Sequence, residues 1–108
     1  MTTGLNVKTN KATYNYSDHF DIDASINWND IGGNYLFAGN TGNNWKIYYV
    51  GITESFKNRL SGHPQIPSAK RLGATHIFAH KNSSSADRML EEADIIACFQ
   101  PPLNKQLK

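Results

Sequence analysis

A glutamate at position 92 stands on the apolar side of a predicted helix. Residues 83–99, SSSADRMLEEADIIACF, have the period of a helix, and serines at its start can cap it. At helical spacing Glu92 shares a face with Met89 and Ile96. A carboxylate there is costly unless a metal ion or a cationic side chain compensates it, or unless it lies at the edge of the stripe and reaches water.

The neighbouring glutamate is predicted to lie on the other side of the same helix. Glu91 has Asp87 four residues before it, Arg88 three residues before it and Asp94 three residues after it. These charged neighbours indicate a solvated face. The pattern therefore selects Glu92 rather than Glu91 for chemistry.

Arg59 is the best candidate for a cation that could act with Glu92. It lies in SFKNRLSGH, a short predicted helix that begins near Ser55 and is ended by Gly62 and Pro64. His63 follows Arg59 by four residues and would share its face if the helix extended that far. An ordinary surface arginine and a histidine at a helix end are the alternatives.

Two adjacent tyrosines in WKIYYVG, residues 45–51, form part of a predicted strand. Alternation along a strand sends Tyr48 to one face and Tyr49 to the other, and Gly51 is expected to end the strand. Tyrosine is common in strands, so packing alone would explain both.

The remaining pattern predicts a single mixed α/β domain. Residues 1–16 are polar and expected to be loose, whereas strict alternation over 20–28 predicts a half-buried strand whose Asp21 and Asp23 face solvent. The other elements are strands at 35–38, 45–50 and 75–81, a loop at 39–44 and a second short helix at 66–73.

Composition narrows the class of protein without fixing its activity. The 108 residues carry a net charge of +2, with four aspartates against two lysines in 1–32 and a basic excess in 33–108. That excess permits a phosphate-rich partner. Cys98 is the only cysteine, so no intrachain disulfide or thiolate cluster can form. His19, His76 and His80 lack metal-ligand spacing. There is no membrane-spanning run or signal peptide, and a cytoplasmic location is expected.

An ordered set of motifs resembles the GIY-YIG nucleases. Gly33-Asn34-Tyr35 is similar to the first motif of that family, and Tyr49-Val50-Gly51 is similar to the second. An arginine follows the second glycine by eight residues, and a helical glutamate precedes an asparagine after prolines by twelve. The resemblance covers about residues 33–104. A YVG triplet alone would be weak, but five elements in order are specific.

The resemblance implies a three-stranded antiparallel sheet flanked by helices and a divalent-metal-dependent hydrolysis of DNA phosphodiester bonds. It makes Glu92 the ligand of Mg²⁺ or Mn²⁺, and Arg59 the residue that binds the scissile phosphate. Tyr35 and Tyr49 would be the paired active-site tyrosines, either of which could be the general base. Asn104 would anchor the edge of the site by hydrogen bonds. Some restriction enzymes of the family have a histidine where His63 stands.

The sequence departs from the family pattern in ways that bear on mechanism. The first motif has Asn34 where isoleucine is usual. Ile52 stands where many members have a polar or basic residue that could activate the general base, which leaves more of that activation to His63. The resemblance divides the chain into an N-terminal extension at 1–32, containing an extra strand, and a nuclease domain at 33–108. One such site would cut one strand of a duplex, so a double-strand cut would need two sites, which a homodimer would supply. A catalytically inactive module that binds nucleic acid or docks on a partner through 1–32 is the alternative.

Overall fold

The computed structural model describes residues 4–42 and 44–104, which contain six strands and three helices. The predicted loop and nuclease domain therefore extend over residue 43 and residues 105–108, outside the described residues. The strands are β1 Leu5–Lys8, β2 Thr13–Tyr16, β3 Asp18–Asp21, β4 Gly33–Asn40, β5 Trp45–Thr53 and β6 His76–Lys81. The helices are α1 Phe56–Leu60, α2 Ile66–Leu72 and α3 Ser85–Phe99. In this described part, none of the helices combines the length and apolar character needed to cross a bilayer.

The main sheet is antiparallel and has four strands in the order β3-β6-β4-β5. Strand β4 lies between β6 and β5, and Tyr35 is paired with Ala79 on one side and Gly51 on the other. The three predicted strands are confirmed, and so is the mixed α and β fold class with an antiparallel sheet flanked by helices. The fourth strand, β3, comes from the N-terminal segment in which an extra strand was expected.

The N-terminal segment differs in detail from the prediction. The strand predicted at 20–28 ends at Asp21, where the backbone turns and the Ala24 N–H donates to the Asp21 carbonyl. The alternation instead reflects an irregular segment that packs on the hydrophobic core, with Ile22 buried and Ile26 and Trp28 partly buried. The expectation of a loose start was also wrong for the described residues, since β1 and β2 form a hairpin with Tyr16 fully buried.

Serine residues cap α1 and α3, and the cap of α3 agrees with the prediction from the sequence. The Ser55 and Ser84 side chains accept hydrogen bonds from backbone N–H groups in the first turns of α1 and α3. Gly73 ends α2 with a positive φ of 123°. These features fix where α1 and α3 begin, and those helices carry Arg59 and Glu92.

Two layers of side chains cover the two faces of the sheet. One layer, here the α1 face, contains Tyr35, Phe37, Tyr49 and residues of α1 and α2. The other, the α3 face, contains Leu36, Val50, Ile95 of α3 and residues of the β1–β2 hairpin. Residues from 4–32 thus enter both layers, and the boundary near residue 32 stays a prediction.

A β-bulge corrects the prediction for the adjacent tyrosines. Phe37 pairs with Tyr49, but Ala38 pairs with Ile47, so Tyr48 is an extra residue in β5. Tyr48 and Tyr49 consequently both lie on the α1 face, whereas Ile47 turns to the α3 face. The alternation rule fails here because it assumes an uninterrupted strand.

Candidate active site

Tyr35 is the centre of a polar cluster on the α1 face. Its side chain is completely buried, and its ring lies over Gly51 of the neighbouring strand. A Cβ at position 51 would lie 2.4 Å from the Tyr35 hydroxyl oxygen, so only glycine leaves room for the ring. The prediction that Gly51 ends the strand was wrong, because β5 continues to Thr53. Gly33 is required for a similar reason, since a Cβ there would lie 2.1 Å from the His80 carbonyl oxygen.

His63 reaches Tyr35 although α1 ends before it. The chain leaves α1 at Leu60 and turns at Gly62, whose φ of 91° suits glycine. His63 Nε2 then lies 2.8 Å from the Tyr35 hydroxyl oxygen, and only 2% of the histidine is exposed. Its Nδ1 accepts a hydrogen bond from the Gln65 backbone N–H at 3.0 Å, which assigns the ring proton to Nε2. His63 therefore donates to Tyr35.

Burial and a neighbouring cation keep His63 neutral. Loss of hydration, followed by repulsion from Arg59, lowers the His63 pKa from 6.5 to about 4. The imidazole is therefore uncharged at neutral pH. It supplies an oriented N–H group to the Tyr35 hydroxyl without adding a second positive charge to the cluster.

Arg59 joins the same hydroxyl from the exposed side. Its Nε donates to the Tyr35 hydroxyl oxygen at 3.4 Å, and its side chain belongs to an exposed residue of α1. Hydrogen bonding to Tyr35 raises the Arg59 pKa, although partial burial opposes this. Burial raises the Tyr35 pKa well above its usual value of 10.0, and the hydrogen bond from Arg59 opposes that rise.

Tyr49 completes the group of ring side chains. Its ring centroid lies 6.2 Å from that of Tyr35, 5.3 Å from that of His63 and 5.5 Å from that of Phe37. Four of the residues selected from the sequence, namely both motif tyrosines, the arginine and the histidine, are thus brought together. The buried Tyr35 hydroxyl is thus joined by one hydrogen bond to the exposed residue Arg59.

Asn104 anchors the open edge of β5 beside this cluster. Its Oδ1 accepts from the Val50 N–H at 2.9 Å, and its Nδ2 donates to the Val50 carbonyl at 2.9 Å. The Leu103 N–H also donates to the Tyr48 carbonyl at 3.1 Å. The segment after α3 therefore fixes the backbone of β5 between Tyr48 and Val50.

Glu92 lies on α3, and that helix packs on the opposite face of the sheet. The side chain is half-buried, and within 4–42 and 44–104 it has no hydrogen bond or ion pair to Tyr35 or Arg59. Burial raises the Glu92 pKa above its usual value of 4.5. A partly desolvated carboxylate without a cationic partner in the described residues is one that a bound divalent cation would stabilise.

The donor set around Glu92 fits a hard cation with few protein ligands. Among the described residues, no cluster of three or more histidine, cysteine or carboxylate side chains could hold a metal by itself. Mg²⁺ commonly keeps several waters and uses one or two carboxylates together with substrate phosphate. Glu92 suits that arrangement, and a multi-ligand zinc centre does not.

Glu91 is the residue that the sequence pattern misplaced. It is only 4% exposed, and its Oε2 accepts hydrogen bonds from the Tyr16 hydroxyl at 2.5 Å and from His80 Nε2 at 2.6 Å. The prediction that Glu91 faces solvent took the face of Met89 as the buried side of the helix. Met89 is in fact 59% exposed, and the neighbouring Leu90 is 69% exposed. Charged neighbours along the helix gave no sign of partners that come from β2 and β6.

Comparison with known proteins places the fold. No protein-family model and no curated protein matches the sequence. The GIY-YIG N-terminal endonuclease domain of UvrC from Thermotoga maritima, bound to magnesium, matches with a TM-score of 0.57 and 16% identity. Two variants of that domain, each bound to its catalytic divalent cation, match similarly. An asparagine-to-alanine variant has a TM-score of 0.58 and 16% identity, and a tyrosine-to-phenylalanine variant has a TM-score of 0.57 and 18% identity. Each match covers 71% of this chain and 86% of the UvrC chain. The chain therefore has the GIY-YIG endonuclease fold.

Proposed function

We propose that this protein is a divalent-metal-dependent endonuclease that hydrolyses DNA phosphodiester bonds. The observation that carries the proposal is the convergence of Tyr35, Tyr49, Arg59 and His63 on one face of this fold. The fold is shared with an endonuclease domain that binds a catalytic divalent cation. The sequence motifs that resemble GIY-YIG nucleases supply the same residues independently.

Arg59 provides the positive charge that a phosphodiester requires. One of its donors, Nε, is directed at Tyr35, and the rest of the exposed guanidinium remains for a non-bridging phosphate oxygen. Negative charge grows on those oxygens as a water attacks the phosphorus. A donor already held in place by Tyr35 stabilises that charge with little reorganisation.

Tyr35 is the better candidate of the two tyrosines for accepting the proton of the attacking water. Its hydroxyl oxygen accepts from two N–H donors, His63 Nε2 and Arg59 Nε, and both would stabilise the phenolate form. Burial outweighs them in the free protein, so Tyr35 keeps its proton at neutral pH. Tyr35 would act as a base only once additional positive charge lowers its pKa.

Glu92 would hold the metal, and Asn104 would fix the strand on which Tyr49 lies. A bound Mg²⁺ or Mn²⁺ would supply a Lewis acid for the phosphate and for the leaving oxygen. Glu92 is half-buried and has no ion-pair partner in the described part of the chain, whereas half-buried Asp94 already accepts hydrogen bonds from Thr9 and Tyr14. Its contribution is to present one carboxylate and leave the other positions to water and substrate.

Nicking of supercoiled plasmid tests this function directly. We expect nicked product with Mg²⁺ or Mn²⁺, none with EDTA, and none from Glu92→Gln. Glu54→Gln is a matched control because Glu54 is an exposed glutamate outside the cluster, and it should cut like the unmodified protein. Equal cleavage by Glu92→Gln and the unmodified protein would remove Glu92 from the mechanism.

A non-catalytic binding module is the second candidate, and one observation favours it. No hydrogen bond or ion pair within the described residues joins Glu92 to the Tyr35 cluster. Such a module would retain labelled duplex, branched or single-stranded DNA, or RNA, on a filter without cutting any of them. Cleavage of one member of that panel, abolished by Glu92→Gln, would exclude it.

A further inference from the structure

The β1–β2 hairpin is bonded to α3 at positions on both sides of Glu92. The Tyr16 hydroxyl donates to Glu91 at 2.5 Å, one residue before Glu92. The Thr9 and Tyr14 hydroxyls both donate to Asp94 Oδ2 at 2.6 Å, two residues after it. Three hydroxyl groups of the hairpin thus reach two carboxylates of a single helical turn.

Strands β4 and β6 of the main sheet are also hydrogen-bonded to this part of α3. His80 of β6 donates to Glu91 at 2.6 Å, and the buried Asn34 side chain of β4 donates to the Arg88 carbonyl at 3.1 Å. Ile95 is completely buried against the α3 face. The N-terminal half of α3 is therefore fixed by polar contacts from β2, β4 and β6.

These contacts determine the rotation of α3 about its own axis. Successive residues are about 100° apart around a helix, so Asp94 and Glu92 lie about 160° apart, on opposite flanks. The end of a long side chain lies about 5–6 Å from the helix axis, so a rotation of about 10° moves it by roughly 1 Å. A displacement of about 1 Å in a catalytic group can cost about 10²-fold in rate.

We infer that the hairpin is a positioning element for Glu92, with Tyr16 and Tyr14 as its positioning residues. The inference rests on the proposed function, in which Glu92 holds the metal. Apolar packing alone would stabilise α3 over a range of rotations because it is non-directional. Charge-assisted hydrogen bonds are directional and select one rotation, and a buried Glu91 strongly disfavours any rotation that leaves it unpaired.

The test combines two conservative substitutions with a matched control. Tyr16→Phe and Tyr14→Phe each remove one hydroxyl that donates to α3. Tyr48→Phe removes a hydroxyl from a buried tyrosine on the α1 face, for which no side-chain hydrogen bond is present in the described residues. Mn²⁺ affinity is measured by calorimetry on the whole chain, with folding checked by circular dichroism and thermal unfolding.

We expect both substitutions on the hairpin to weaken Mn²⁺ binding, and Tyr48→Phe to leave it unchanged. The increase in Kd should be roughly threefold to tenfold, below the 10–100-fold typical of groups that contact a metal ligand directly. Nicking by the two variants should recover at saturating Mn²⁺, since Glu92 itself is intact. Tyr14 is half-buried, so its variant is informative even if Tyr16→Phe fails to fold.

The outcomes separate this inference from the proposed function. Wild-type Mn²⁺ affinity in Tyr14→Phe, and in Tyr16→Phe if it folds, combined with loss of binding in Glu92→Gln, would overturn the positioning role alone. Unchanged affinity in Glu92→Gln would overturn the metal role of Glu92, and the inference with it. A loss that accompanies unfolding and is not recovered at saturating Mn²⁺ would show that the hairpin is only structural.

Discussion

The two faces of the sheet each carry a tyrosine beside a histidine, but the third partner differs. On the α1 face the rings of Tyr35 and His63 are 5.5 Å apart at 71°, and Arg59 completes the group. On the α3 face the rings of Tyr16 and His80 are 4.7 Å apart at 78°, and Glu91 completes it. Similar edge-to-face pairs thus stand next to opposite charges.

The charge of the third partner decides what each tyrosine can do. Burial raises the pKa of both tyrosines, but Arg59 opposes that rise at Tyr35 whereas Glu91 adds to it at Tyr16. Arg59 is exposed and can meet an anion from solution, whereas Glu91 is 4% exposed. Under the proposed function the Tyr35 group would contact a phosphate, whereas the Tyr16 group is enclosed in the interior.

The largest expected effect is that of removing Arg59 from the Tyr35 group. Arg59→Ala should reduce the rate of plasmid nicking by about 10²–10³, as is typical when one donor to a developing oxyanion is removed. Arg59→Lys should recover only part of the rate because lysine lacks the planar fork that binds two oxygens. Arg71→Ala, an exposed arginine on α2, is the control. Nicking by Arg59→Ala at the rate of Arg71→Ala would contradict the role assigned to Arg59.

Removing each tyrosine hydroxyl should separate the two faces by their effect on activity. Tyr35→Phe should lower nicking by about 10² if Tyr35 transfers a proton, and it should also lower the free energy of unfolding because buried His63 loses its acceptor. Tyr16→Phe should lower the free energy of unfolding by about 1–3 kcal/mol because buried Glu91 loses a donor, while nicking at saturating Mn²⁺ persists. Urea unfolding and single-turnover nicking measure the two effects. The same pattern in both variants would show that the two faces are not distinct.

The members of the Tyr35 group could be selected from the sequence because they follow fixed spacings along the chain, and the roles assigned to them stay predictions. Arg59 and Glu92 could be selected from helical periodicity, but Tyr35 and Asn104 required the resemblance to a family, which the comparison confirms at the level of the fold. The reason that Gly51 must be glycine was not visible in the sequence. It depends on the ring of Tyr35, which comes from another strand.

The group formed by Tyr16, His80 and Glu91 was not predictable because its members come from distant segments. Glu91 was assigned to a solvated face from its helical neighbours, whereas its partners Tyr16 and His80 are 75 and 11 residues away. Tyr48 was misplaced because a bulge adds one residue to β5. Period rules describe a single regular element, and both errors arise where tertiary contacts or irregular pairing override it.

The next effect tests through pH whether His63 is neutral in the fold. His63 has a pKa of about 4 in the fold and 6.5 in the unfolded chain, so the unfolded state binds more protons between these values. Stability contributed by neutral His63 is present above about pH 6.5 and is lost as the pH falls towards 4. The loss should reach about 3 kcal/mol at most, given about 1.4 kcal/mol for each pKa unit.

Urea unfolding at several pH values isolates this contribution by difference. His63→Gln should be less stable than the unmodified protein at pH 7, and the difference should shrink as the pH approaches 4. His19→Gln is the control, because His19 lies on edge strand β3 and makes no side-chain hydrogen bond in the described residues. A difference between His63→Gln and the unmodified protein that stays constant from pH 7 to 4 would contradict a buried neutral His63.

The smallest effect concerns Glu92, which is less exposed than Arg59 and less buried than Glu91. Its pKa is raised in the fold by burial, so the folded state holds its proton to a higher pH than the unfolded state does. The stability linked to Glu92 is therefore greatest below its unfolded pKa and is lost as the pH rises through its folded pKa. Glu92→Gln should accordingly unfold at a higher urea concentration at pH 7 without metal, and this advantage should disappear in acid. Added Mn²⁺ should stabilise the unmodified protein and Glu54→Gln but not Glu92→Gln. A Glu92→Gln variant that is less stable than the unmodified protein at pH 7 would mean that the carboxylate is already paired in the fold, and that no cation is needed to hold it there.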